Sequence, residues 1–145
     1  VRVGVLSLIF VLTVSCSSDA SDRSLPTPPS DVAIATPVPG VPKRSAAFSG
    51  TWEGSWGERL PSRLVVEHIN KRSIQVVYAW GDAIDGSFEA GWARVSGEVL
   101  SEGKIGWGRE DVRFTFTMAK DLVTISGVRE LSGVGVARVT MKKVG

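Results

Sequence analysis

The chain reads as an all-β protein: an antiparallel up-and-down meander of about eight short strands, closing into a small barrel, behind an apolar leader and a disordered Pro-rich linker. Three observations carry this expectation. From Phe48 onward the apolar residues recur with a period of two, short turn signals separate the periodic runs, and no stretch carries a helical stripe. About eight strands is also a number at which a sheet can close on itself and abolish its edges.

The first strand is predicted over Phe48 to Trp56, where Phe48, Gly50, Trp52, Gly54 and Trp56 alternate with Ser49, Thr51, Glu53 and Ser55. That alternation puts both tryptophans on one face. A turn over Gly57 to Pro61 leads into Arg63 to Ile69, and Asn70-Lys71-Arg72 into Ser73 to Trp80, with Ile74, Val76, Tyr78 and Trp80 on one side. Trp92 to Leu100, Lys104 to Trp107, Val112 to Met118, Leu122 to Val128 and Val134 to Lys142 follow. Glycines at 50, 54, 97, 106, 108, 127 and 135 interrupt these runs, as bulges and barrel corners require.

Ahead of the domain, Arg2 precedes an uncharged run of twelve apolar or small residues, Val3 to Val14, ending at Ser15-Cys16. A charged start, a short apolar stretch and a small residue at a cut site compose a secretory signal, and the run is well short of the ~20 residues a spanning helix needs. Val1 is read as an alternative initiation codon. Leu12-Thr13-Val14-Ser15-Cys16 resembles the lipobox of bacterial lipoproteins, with Thr13 standing where Leu is commoner. The resemblance implies cleavage after Ser15, a diacylglyceryl thioether on Cys16, the chain's single cysteine, and a membrane-anchored product. Two or three acyl chains give stable attachment where one alone is marginal. Ser17 follows the cysteine where an Asp would resemble an inner-membrane retention signal. The expected location is therefore the cell envelope, on the outer membrane facing the periplasm in a Gram-negative organism.

Residues 16–47 are expected to be a disordered tether bearing the lipidated cysteine, since six of the seven prolines lie between Pro26 and Pro42 and the apolar residues there are isolated. Residues 48–145 form one domain. It holds 13 Lys and Arg against 12 Asp and Glu with the signs interspersed, so nucleic-acid binding has no electrostatic footprint. Once Cys16 is consumed no disulfide is possible, and burial alone must hold the fold.

Gly50-Thr51-Trp52, opening the first strand of such a meander, resembles the Gly-x-Trp start of lipocalin and avidin-like barrels, where the Trp packs across the closed end. The domain is about two thirds as long as a lipocalin, which implies a narrower bore and no roomy ligand cavity. The longer pattern from Phe48 to Gly81 is similar to small exported bacterial domains of unassigned function.

Trp52 and Trp56, flanked by glycines, are read as core. Trp80 and Trp92 bracket the longest turn-like segment, Gly81 to Gly91, which carries Asp82, Asp85 and Glu89, and loops of this length often bind or cover a ligand. The candidate binding residues are therefore Tyr78, Trp80, Asp82, Asp85 and Trp92, at a barrel mouth. The single histidine, His68, in the run Leu64, Val66, His68, stands without a nucleophile motif and is read as a barrel-end or surface residue. If the strand already starts at Glu110, Glu110 and Asp111 point to opposite faces, the wrong geometry for paired carboxylates. Asp82 and Asp85 lack the ligand spacing of a calcium loop, so no metal or cofactor is expected.

These residues point to a lipid-anchored binding or interaction module. Its partner would be a small apolar or glycan ligand or an envelope protein. The alternatives are an accessory or catalytic domain acting on cell-wall glycans, and an inhibitor of a hydrolase; small lipoprotein barrels of this size include lysozyme inhibitors, whose cysteine pattern is absent here. Intact-mass measurement of the membrane fraction should find Cys16 as the acylated N-terminus, and Cys16→Ser should leave an unacylated precursor. An unmodified thiol on a cytosolic protein is the contrary result.

Overall fold

A computed structural model describes residues 25–83 and 85–145. The predicted signal and cut site, and Cys16, lie outside the described residues. Eight antiparallel strands follow one another around a closed barrel: β1 Gly50–Trp56, β2 Leu60–Ile69, β3 Ser73–Trp80, β4 Gly91–Ser101, β5 Lys104–Gly108, β6 Val112–Met118, β7 Thr124–Leu131 and β8 Gly135–Val144. Closure comes from β1 pairing with β2 on one side and β8 on the other, from Thr51 opposite Val144 to Gly54 opposite Met141. Gly54 permits that seam: a Cβ there would stand 2.5 Å from the Thr140 carbonyl oxygen. The meander and its closure are those expected from the period-two runs.

Three details differ from the sequence expectation, each for a local reason. β2 starts at Leu60, because Pro61 is accommodated opposite Ser55 and its carbonyl accepts from the Gly81 amide at 2.8 Å. A bulge between Val66 and His68 breaks the Leu64, Val66, His68 alternation, so Ile69 is buried and His68 is exposed. β7 runs from Thr124 to Leu131, later than the predicted Leu122 to Val128. Leu122 has φ 62°, inside a turn fixed by the Asp121 carboxylate, which accepts from the amides of Val123 and Thr124 at 3.0 and 2.9 Å.

The lower half of the barrel is solid. Phe48, Trp52, Leu64, Ile69, Ile105, Met118, Ile125 and Met141 are fully buried there. The Trp52 indole donates to the Phe48 carbonyl at 2.8 Å, and the Lys143 ammonium stands 5.2 Å over its ring while donating to the Ala47 carbonyl at 2.9 Å. A four-residue helix, α1 Lys43–Ala46, lies across this end. The Gly103 amide donates to Ser45 Oγ at 3.0 Å, and the Arg44 guanidinium to the Met118 carbonyl at 2.6 Å. Trp52 thus fills the closed end, the place that its Gly-x-Trp context implies.

Hydrogen-bonded attachment to the barrel begins ahead of Phe48, within the stretch read as tether. The Ala35 amide donates to the Glu67 carbonyl at 2.8 Å, and Arg94 on β4 bridges Asp31 (3.1 and 3.2 Å) and Glu67 (3.0 Å). Val65, Val77 and Ala79 belong to the outward faces of β2 and β3 yet are buried, and the strap from Asp31 to Val38 runs along that side of the wall.

Arg94 holds the Asp31 carboxyl below its ordinary value. A lowered carboxyl pKa stabilises the attached strap above the ordinary Asp range, and that stabilisation is lost as pH falls through the lowered value. Amide resonances of Ala33 and Ala35 should therefore shift on acidification with a midpoint below 3.8. Glu67 is the other carboxylate facing Arg94, so Asp31→Asn separates the two: it should produce much of the shift at neutral pH. Resonances indifferent to both changes would contradict the attachment.

Candidate functional site

Above the solid half the barrel is hollow. A chamber of about 660 Å³ opens at the end formed by the turns after β1, β3, β5 and β7. The expectation of a narrow bore without a roomy cavity is therefore corrected. Strands as long as eleven residues leave several positions above the core, and Gly91, Ala93 and Gly108 put little side chain into that space.

The wall is aromatic because the inward positions of β3, β5 and β6 are aromatic at the same height. Trp107 pairs with Phe114 across β5 and β6, and its ring stacks on both Phe114 and Phe116, with centroids 5.3 Å apart in each case. Tyr78 stands 5.4 Å from Phe114 and 5.7 Å from Trp80. Gly127 on β7 makes room for this cluster, since a Cβ there would approach the Phe116 ring to 2.5 Å. Offset and tilted aromatic pairs of this kind each add about 0.5–1.5 kcal/mol beyond their burial.

The floor is polar in one line only. The Trp56 indole donates to the Tyr78 hydroxyl at 2.8 Å, and that hydroxyl lies 3.2 Å from Ser62 Oγ, which reaches the Leu60 carbonyl at 3.3 Å. An indole N–H can only donate, so the consistent direction runs from Trp56 through Tyr78 and Ser62 to Leu60, with each buried polar group satisfied. Burial pushes the Tyr78 phenol above its ordinary value, against the opposing effect of its hydrogen bonds with Ser62 and Trp56.

Charge enters the chamber at Arg129. On β7 it pairs with Phe114 on one side and Ala137 on the other, and its guanidinium carbon lies 5.9 Å from the Trp56 ring centroid. Arg109 and Asp111 line the chamber at its rim, with Phe88 reaching over from the β3–β4 loop, half exposed.

The candidate residues expected from sequence divide. Tyr78 and Trp80 line the chamber. The Trp80 indole donates to the Glu89 carbonyl at 2.8 Å, and its ring covers Gly91, its partner in register. Trp92 is one position on, opposite Ala79, so it points outward and is 47% exposed. Asp82 and Asp85 shape the loop: Asp82 accepts from the Ala90 amide at 2.8 Å and Asp85 from the Ser87 amide at 3.0 Å. Ser87 holds the Asp85 carboxyl below its ordinary value through its hydroxyl and its amide. Among the described residues no three His, Cys, Asp or Glu side chains gather as metal ligands.

Trp107, Phe114 and Arg129 were not singled out by sequence. The alternation of Phe114 and Phe116 was a usable signal for the wall. Arg129 had none, because the predicted strand ended at Val128.

No protein-family model and no curated protein matches the chain. Among solved structures it is similar to a de novo designed fluorescence-activating β-barrel, at 16% identity and a TM-score of 0.52, over 72% of this chain and all of the designed one. At that identity the likeness shows the fold alone: a small closed antiparallel β-barrel.

Tyr78 is the chain's single tyrosine, so its ionisation can be followed alone. A phenol pKa raised in the folded state stabilises the protein below the unfolded value, and that contribution is lost as pH rises through the folded value. Phenolate absorbance should therefore appear only above pH 10.0, together with loss of fold. Tyr78→Phe leaves the buried Trp56 N–H without its acceptor and should cost about 1–3 kcal/mol in chemical denaturation. An unchanged midpoint would contradict the relay.

Proposed function

We propose that this protein is a lipid-anchored binding module of the cell envelope, whose barrel takes a small, largely apolar molecule into the upper chamber. The chamber itself carries the reading. Its volume of about 660 Å³ lies within the range of ligand pockets, its wall is aromatic, and few polar groups converge on it. The similarity to a designed barrel that activates fluorescence supports the idea that a barrel of this size can hold a guest. Anchoring at Cys16 and an envelope location rest on the lipobox resemblance, and an outer-membrane position on Ser17.

Binding is favoured over catalysis on glycans by where the titratable groups lie. His68 is exposed on the outer side of β2, remote in register from Leu60 at the mouth, and the chamber's own ionisable groups are Tyr78, Arg109, Asp111 and Arg129. The phenol is committed to Trp56 and Ser62, which leaves no poised acid and base pair.

The neutral probe N-phenylnaphthylamine should gain fluorescence with the purified mature protein and saturate at one equivalent. Ala93→Trp fills the chamber opposite Tyr78 and should weaken that binding at least about tenfold, or ~1.4 kcal/mol, with the thermal midpoint retained. Equal binding by a folded Ala93→Trp variant would contradict the site.

A further inference from the structure

We propose that the chamber selects a small organic anion, a flat apolar body carrying one carboxylate, sulfonate or similar oxyanion, and that Arg129 receives the anionic group. The inference rests on the chamber being a binding site and adds the charge of what it binds.

Arg129 is placed unlike the other chamber residues. Strand alternation turns it inward above Gly127, which carries no side chain to push it aside, and its guanidinium lies over Trp56. Its Nε is shielded from solvent, and no described residue accepts a hydrogen bond from the side chain. Elsewhere Arg63 pairs with Glu53 and Arg94 with Asp31 and Glu67, while Arg44, whose Nε is likewise without a partner, donates to the Met118 carbonyl through a terminal nitrogen. Glu130, the next residue, is exposed on the other face of β7, and Asp111 lines the chamber without forming an ion pair to Arg129.

A guanidinium whose buried Nε finds no acceptor carries a cost, because that nitrogen has lost its hydration and nothing replaces it. The cost is recovered when an oxyanion arrives, since the planar fork matches two oxygens at once and such charge-assisted bonds are about twice as strong as neutral ones. Contact with Trp56 keeps the fork oriented beforehand, so little side-chain freedom is lost on binding. Arg109 and Asp111 at the rim offset each other and leave Arg129 as the unbalanced charge of the chamber. A ligand that stacks on Trp107 and Phe114 would place its anionic edge toward β7, where Arg129 and Phe114 are paired.

Two probes differing only in a sulfonate isolate this effect. Anilinonaphthalenesulfonate carries the ring system of N-phenylnaphthylamine plus one oxyanion. The mature protein should bind the sulfonate at least about tenfold more tightly than the neutral probe. Arg129→Met, which keeps length and removes charge, should abolish that preference, and Arg129→Lys should restore only part of it. Asp111→Asn should leave the preference intact or raise it. A wild-type protein that binds the two probes equally, or an Arg129→Met variant that weakens both alike, overturns the assignment while the binding chamber stands. Failure of both probes to bind the wild type overturns the chamber reading and this inference together. Ala93→Trp, with the chamber filled, should abolish the sulfonate signal; its persistence there would place the probe elsewhere and overturn the assignment.

Discussion

One hydrogen bond marks the level at which the barrel changes from solid to hollow: the indole of Trp56 to the hydroxyl of Tyr78. Below it, large side chains from all around the wall meet at the axis and leave no space. Above it, the inward residues lie back against the strands that carry them. Trp107 lies flat on Phe114 and Phe116, and Trp80 is drawn across Gly91 by its bond to Glu89. If the Tyr78 ring were free to drop or rise, these neighbours would lose their common support and the space could collapse. Tying both ends of the relay to β1 and β2 fixes the ring and gives the chamber a floor.

The same division explains which parts of the molecule were legible in the sequence. Phe48, Trp52 and Trp56 could be read because Gly50 and Gly54 separate them in a strict alternation, and nothing in the barrel interferes with that phase. The chamber was harder. Period two sorts a strand into two faces, but which face looks inward is set by register across a loop. Trp80 and Trp92 look equivalent as a pair flanking a loop, yet Trp80 faces Gly91 and Trp92 faces Ala79 across the outer wall. Arg129 was hidden by a turn: Leu122, at positive φ, delays the start of β7 and carries the strand beyond Val128. His68 is on the surface as read, although one bulge takes it out of phase with Leu64 and Val66.

The N-terminal region shows how composition can understate order. Isolated apolar residues and prolines between 25 and 47 could not build a core alone, and they do not need to. The barrel supplies a surface, with Glu67 and Ile69 offering backbone carbonyls and Arg94 a charge, and the strap uses them. Attachment from Asp31 onward thus ties to the wall a stretch that composition alone would leave hanging free up to Phe48.

The account's central claim is that the upper barrel holds a persistent chamber with a largely apolar, aromatic wall. A crystal of the protein pressurised with xenon tests it directly, because xenon enters apolar cavities without needing a specific ligand. Anomalous density between Trp107 and Leu60, above Tyr78, with side chains unmoved, is the expected result. Density absent from that region, with the Trp107 ring folded into the space, would contradict it.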